Sequence, residues 1–251
     1  MPRYRFTIEY FGAPFKGWQR QTDLPTVQGA IEDALARIDP SAPLCYGSGR
    51  TDAGVHASGQ VGHADLEKDW DPFRLSEAIN FHLRPNPIAI LDCVRAEDDF
   101  HSRFDASERR YVYAVRNRRA YLTLEAGRAW RVKQPLDVEA MDRAAKQLIG
   151  TYDFSTFRSA DCQANSPIKT LDFFDVRREG DAVIFDVRSR SFLHNQVRSM
   201  VGSLERVGAG AWPPERIGAA LAACDRAACG PVAPPDGLYL TKVIFARDTA
   251  D

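Results

Sequence analysis

The chain opens on an alternation of apolar and polar positions. Tyr4 to Tyr10, YRFTIEY, alternates and is rich in aromatic and β-branched residues, which predicts a half-buried strand. The period then changes to that of a helix. In TVQGAIEDALARI, Val27, Ala30, Ile31, Ala34, Leu35 and Ile38 recur at helical spacing, with Thr26 placed to cap the first turn. Gln60 to Leu66 reads as a second strand. DPFRLSEAINFHL predicts a helix with Asp71 as cap and Pro72 at the first helical position, stopped by Asn86-Pro87, and IAILDCVRA follows as a strand. The second half repeats this grammar. A helix from Asp137 to Ile149 closes at Gly150, and two strands flank Glu179-Gly180-Asp181. A helix from Phe192 to Val207 precedes Gly208 and Gly210, Pro213 and Pro214 open another that runs through Cys224, and GLYLTKVIFA is a final strand. Strands and helices alternate while the hairpin demands antiparallel pairing, so the predicted class is α+β, with antiparallel sheet covered by helices. The similar element order predicts two related halves, 1–104 and 136–251, joined by a basic connecting strand region at 105–135.

Composition fits this picture and narrows it. The 251 residues are 44% hydrophobic and 27% charged, enough apolar material for one large or two ordinary domains. No apolar run approaches the roughly 20 residues of a membrane helix, and MPRYRFTIEYFG lacks the apolar stretch of a signal peptide, so a cytoplasmic protein is expected. Cys45, Cys93, Cys162, Cys224 and Cys229 form no C-x-x-C pair and read as reduced thiols. His56 and His63 are too far apart for a one-turn helical metal pair, and no metal is expected. The formal charge of −1 hides an asymmetry. Phe100 to Gln134 holds eight Arg and one Lys against three acids, a formal +6, whereas Asp65 to Asp71 holds four acids and one Lys. A basic zone on a neutral protein suits local phosphate binding, and arginines dispersed over solvated strand faces give the same count.

The candidate chemistry lies in GRTDAGVHASGQV, residues 49–61, where Arg50 and Asp52 stand in a run of small residues. The stretch has no G-x-x-x-x-G-K-[ST] phosphate loop, a Rossmann turn would need Gly at position 52, and Ser48 and Ser58 lack the G-x-S-x-G nucleophile pattern. A glycosidase would want a second carboxylate, and none lies between Asp52 and Asp65. What remains is one carboxylate with a guanidinium two residues away. Burial raises a carboxyl's pKa and a neighbouring guanidinium lowers it, so a buried catalytic Asp needs a cation to stay ionised. The same residue types also suit an Asx-turn in which Asp52 caps its own loop, and the residues alone leave both readings open.

GRTDAGVHASGQV strongly resembles the catalytic segment of the tRNA pseudouridine synthase A family. So do YFGAPFKGWQRQ near the start, DDFHSRFDASERRYVY in the middle, and FLHNQVRSMVGSLERVGAG with GLYL toward the end, in the family's order and across nearly the whole chain. The resemblance implies a pseudouridine synthase fold of two α+β halves. It also implies a homodimer that presents an RNA-binding surface, and isomerisation of uridines 38 to 40 in the tRNA anticodon stem-loop without cofactor or metal. By the same resemblance Asp52 is the catalytic aspartate. Arg50 helps to hold the target nucleotide out of the stack, Tyr111 stacks on the target base, and Arg198 stands against the catalytic carboxylate. Phe100, His101, Ser102, Arg103 and Phe104 form a segment that contacts tRNA. Gln196 departs from the pattern, which often has Met before Val-Arg, and this puts the helix packing beside Arg198 in question.

An isomerase of this kind breaks N1–C1′, turns the uracil and joins C5 to C1′, with no electrons lost and no group donated. An ionised Asp suits attack at C1′ or at C6, or base-assisted elimination through a glycal, and the residues do not choose among these routes. Two other classes share the same features: a non-catalytic RNA-binding protein using the basic zone and the aromatic strand, and a glycoside-cleaving enzyme pairing Asp52 with a distant acid.

Overall fold

The computed structural model describes residues 1–249, which form two compact units. The first comprises residues 1–107 together with the chain from 239 onward, and the second residues 108–238. Both are α+β, with antiparallel sheet covered by helices, as the strand and helix periods predict.

In the first unit, β1 (Arg3–Tyr10) lies between β4 (Ile88–Arg95) and β3 (His56–Asp65), antiparallel to both. A short β2 (Tyr46–Gly47) joins β3. β10 (Leu238–Phe245) runs parallel to β3, with Tyr239 opposite His56 and Leu240 opposite Ala57. β1 alternates as its sequence requires: Tyr4, Phe6, Ile8 and Tyr10 are buried. α1 (Val27–Ala36) and α2 (Pro72–Leu83) begin where their caps predict, Thr26 accepting from the Gly29 N–H and Asp71 from the Arg74 N–H. Each such cap stabilises its helix by roughly 1 kcal/mol. α2 is pinned to β4 by Asn80, whose side-chain amide donates to the Ile90 carbonyl and accepts from its N–H. The helix ends at Leu83, three residues short of the predicted Asn86-Pro87 stop. Pro85 is the nearer terminator, because a proline ring disfavours helical backbone in the residue before it.

The second unit is built on β5 (Ala106–Asn117), β9 (Ala182–Ser189), β8 (Ile168–Glu179) and β7 (Gly150–Asp153), adjacent in that order and antiparallel. β6 (Trp130–Val132) pairs with β5 in parallel. β8 and β9 form the hairpin predicted around Glu179-Gly180-Asp181. α3 (Val138–Lys146), α4 (Gln196–Gly208) and α5 (Arg216–Ala223) complete the unit. α4 departs from its predicted form at its start. It begins at Gln196, because Asn195 adopts left-handed backbone at φ 61° and breaks the helix that the pattern from Phe192 suggests. It is also buried on nearly every side, Arg198 and Arg206 being its only residues that are not buried. Ser199, Gly202 and Ser203 account for this, since small residues let neighbouring chain approach the helix closely.

Candidate active site

Asp52 sits on the loop from Ser48 to Val55, which is rich in small residues yet closely held. At its start Ser48 bonds the Val61 carbonyl through both N–H and hydroxyl, and the Gln60 amide donates to the Gly49 carbonyl at 2.8 Å. In its middle the buried Thr51 hydroxyl pairs with the Tyr10 hydroxyl at 2.8 Å, and the Thr51 carbonyl accepts from the Trp18 N–H at 3.0 Å. At its tip Asp52 to Val55 form a turn closed by the Val55 N–H on the Asp52 carbonyl. Gly54 stands third in that turn at φ 79°, a backbone state that costs glycine nothing. Gly54 also donates to the Phe15 carbonyl. Thus YFGAPFKGWQRQ and GRTDAGVHASGQV, far apart in sequence, make one structure, with Trp18 and Tyr10 walling the Asp52 loop. Asp52 itself is half-buried and Arg50 is exposed. Neither Tyr10, Thr51 nor Trp18 stands out in the sequence as more than core or turn residues.

His56, which follows this loop, has a structural place. It is buried, its Nδ1 accepts from the Gly12 N–H at 2.9 Å, and its ring stacks between Phe11 and Tyr239 at 4.9 and 4.7 Å. That hydrogen bond fixes the neutral tautomer with the proton on Nε2.

The segment Phe100–Phe104 divides by burial. Phe100 packs on Phe245 and beneath the Arg5 guanidinium, and the buried Ser102 hydroxyl lies between His63 Nδ1 and the Tyr46 carbonyl. The surface of this segment is therefore His101, Arg103 and Phe104, with Phe104 67% exposed and its ring 4.3 Å from that of His101. His63, beneath them, is pushed down to about 4, first by burial and then by the charges of His101 and Arg3.

Tyr111 and Arg198 belong to the second unit, where residues 192–198 serve both. On β5 the buried face carries Arg109, Tyr111, Tyr113 and Val115. Tyr113 is a packing residue: it is fully covered, edge-on to Trp130 and Phe185, with its hydroxyl on the Pro234 carbonyl. Tyr111 keeps 8% exposure, and its ring meets Phe192 edge-on at 5.2 Å. Arg198, in the first turn of α4, is held through two of its guanidinium nitrogens. Nε donates to the Ala233 carbonyl at 2.8 Å and an Nη donates to Asn195 Oδ1 at 2.9 Å. The Ala233 N–H returns a bond to the Arg198 carbonyl. A Cβ on Gly202 would lie 1.8 Å from the Pro231 carbonyl oxygen, so only glycine admits the 231–233 strap that holds the guanidinium. Gln196, the departure from the family pattern, is buried and turns its side-chain oxygen back onto the Leu193 N–H, closing the bend that precedes α4. Asn195 and Phe192 lie within a stretch the sequence singled out; the Ala233 carbonyl carries no side-chain signal at all.

Several arginines of the basic segment are held by partners in the second unit. Arg116 pairs with Glu125 and Asp181, Arg118 with Asp181, and Arg110 with Glu108, while Arg109 donates to the Arg190 carbonyl. Glu108 and Glu125 are already counted in the formal +6, so only Asp181, which lies outside the segment, lowers the charge this region offers a phosphate backbone, and by about one. Among the described residues no cluster of His, Cys, Asp and Glu suits a metal ion, and no helix is long and apolar enough to cross a membrane.

Comparison with known proteins bears on these residues. A family model described as tRNA pseudouridine synthase matches residues 144–246. The tRNA pseudouridine synthase A of Paracoccus denitrificans (strain Pd 1222) is 60% identical over 250 residues, covering 97% of this chain and 96% of that protein. The chain belongs to the tRNA pseudouridine synthase A family. Proteins of that name from Jannaschia sp. (strain CCS1) and Ruegeria sp. (strain TM1040) are each 58% identical over 99% of this chain, covering 97% and 99% of their own lengths. The matched lengths of these relatives, 97–99% of this chain, take in both units of this isomerase family member.

Proposed function

We propose that the protein isomerises uridine to pseudouridine at positions 38 to 40 of the tRNA anticodon arm, with Asp52 as its catalytic carboxylate. The reading is supported above all by 58–60% identity, over nearly the whole chain, to proteins named tRNA pseudouridine synthase A. It is further supported by the tethering of the Asp52 loop at its start, middle and tip, since a carboxylate that acts on one atom of a nucleotide must be held in place before the substrate arrives.

In this reading the target uridine leaves the stem at a cost of a few kcal/mol, and stacking on the Tyr111 ring returns roughly 1–3 kcal/mol. Arg50, exposed beside Asp52, holds the extruded nucleotide. The Arg198 guanidinium, positioned by Ala233 and Asn195, is the cation this reading assigns to the reaction. Asp52 then serves as nucleophile at C1′ or C6, released again at the end, or as base for a glycal route; each breaks N1–C1′ and forms C5–C1′, the proton lost from C5 being balanced by the one gained at N1, so no external reagent is consumed. His101, Arg103 and Phe104 contribute to the RNA surface. A homodimer in the cytoplasm completes the proposal.

Asp52→Asn tests it. The variant is expected to bind tRNA with wild-type affinity and to form no pseudouridine at 38 to 40, as read by chemical derivatisation of treated tRNA. Unaltered product formation would remove Asp52 from the mechanism.

A further inference from the structure

The face of the first unit formed by α1 and α2 carries a cleft of about 660 Å³ to which the reaction assigns nothing. Its floor is the small-residue side of α1, Gly29, Ala30 and Ala34, and its rim includes Leu24, Phe81, Arg37 and Arg84. Arg37 caps the C-terminal end of α1 and Arg84 that of α2. The one acid in the lining, Asp33, is already held by Arg20 at 2.6 Å. Arg37 and Arg84 are exposed, and neither guanidinium reaches a carboxylate or a helix carbonyl among the described residues. Phe81, in the last turn of α2 three residues before Arg84, also lines the cleft and is 70% exposed.

Unpaired guanidiniums beside an exposed ring form the combination that holds looped or single-stranded nucleic acid, the cations on phosphates and the ring against a base or ribose. An interface between protein copies would instead favour burying the rings and pairing the cations, and this cleft offers two cations with no acid left to meet them. We propose that the α1–α2 cleft is a second RNA-holding site that takes a phosphodiester stretch of the tRNA substrate, with Arg37 and Arg84 on its phosphates and Phe81 stacked on a base or ribose. The proposal rests on tRNA being the substrate. It adds a contact that contributes affinity without touching the chemistry.

The test compares wild-type protein with Arg37→Gln/Arg84→Gln and with Phe81→Ala. It measures tRNA Kd over a salt series, kcat at saturating tRNA, and sedimentation velocity without RNA. For the double variant the Kd is expected to rise about 5- to 20-fold near 0.1 M salt, with a log–log salt slope shallower by about one to two as fewer counterions are released. Its kcat is expected to be unchanged. Phe81→Ala is expected to weaken binding about 5-fold or more while leaving the slope alone. An unchanged Kd and slope in the double variant would overturn the proposal. So would a fall in sedimentation coefficient in either variant, which would show that the face covers a second copy. The two readings fail separately: wild-type protein that forms no pseudouridine on tRNA overturns the reaction, whereas active wild-type protein and a double variant of equal affinity overturn only the cleft.

Discussion

Tyr111 and Tyr113 differ by two positions and share one face of β5, yet the structure gives them different work. Tyr113 is fully covered with its hydroxyl committed to Pro234, while Tyr111 retains exposure and is steadied from one edge by Phe192. A ring that stacks on an extruded base matters only once the base is out. Tyr111→Ala is therefore expected to lower kcat by ten-fold or more and to raise tRNA Kd by much less, a split that single-turnover kinetics and filter binding resolve. Equal losses would make Tyr111 a docking residue. At this scale the sequence was partly legible. The motifs contain Asp52, Arg50, Tyr111 and Arg198 together with most of the groups that hold them, Tyr10, Thr51, Phe192 and Asn195, but not which residue holds which. The Ala233 carbonyl is a backbone atom of a residue with no functional chemistry, and the Thr51–Tyr10 pair joins two side chains 41 positions apart.

Among the elements, α4 depends most on a close approach. The strap at Pro231–Ala233 crosses it at Gly202 and delivers the carbonyl that holds Arg198 Nε. Gly202→Ala forces the strap outward, at a cost of about 1–3 kcal/mol in stability, and releases the guanidinium from one of its holds. The expected result is a lower Tm with a loss of kcat that persists at temperatures where the variant is fully folded. A lower Tm with wild-type kcat would show that Ala233 does not position Arg198. Local signals located most elements well: Thr26 and Asp71 cap as their chemistry requires, and the β8–β9 hairpin turns where Glu179-Gly180-Asp181 stand. The signals failed where a neighbour in space decides. Asn195 is of a type that tolerates left-handed backbone, a signal the helical pattern of its neighbours overrode, whereas nothing in GLYLTKVIFA announces that β10 runs parallel to β3, because strand partners are chosen by contacts that no local window contains.

For the whole molecule, charge and protonation set the expected solution behaviour. Internal ion pairs consume part of the basic segment, and tRNA binding should still weaken as salt rises, since each phosphate contact releases counterions. A flat salt response would refute any phosphate-tracking role for these arginines. His63 gives the stability a pH dependence of known sign. In the folded protein it stays neutral down to about 4, whereas in the unfolded chain it takes up its proton near 6.5. Between these values the unfolded state binds more protons, so its contribution is intact above about pH 6.5 and is lost as pH falls toward 4, by up to roughly 3 kcal/mol. Thermal melts from pH 7 to pH 4 should show this loss, and His63→Gln should flatten it. Parallel melting curves for the two proteins would clear His63 of the effect.

The return of β10 to the first unit has a consequence for how the molecule is made. Strand β3, which follows directly on the Asp52 loop, gains its parallel neighbour from residues 239 and 240, which leave the ribosome only after the entire second unit. The stacking of His56 on Tyr239 waits for the same residues. The unit made first is thus closed by the strand made last. A polypeptide cut short before Tyr239 would carry every residue assigned a chemical role yet leave the strand that follows the Asp52 loop without its parallel neighbour.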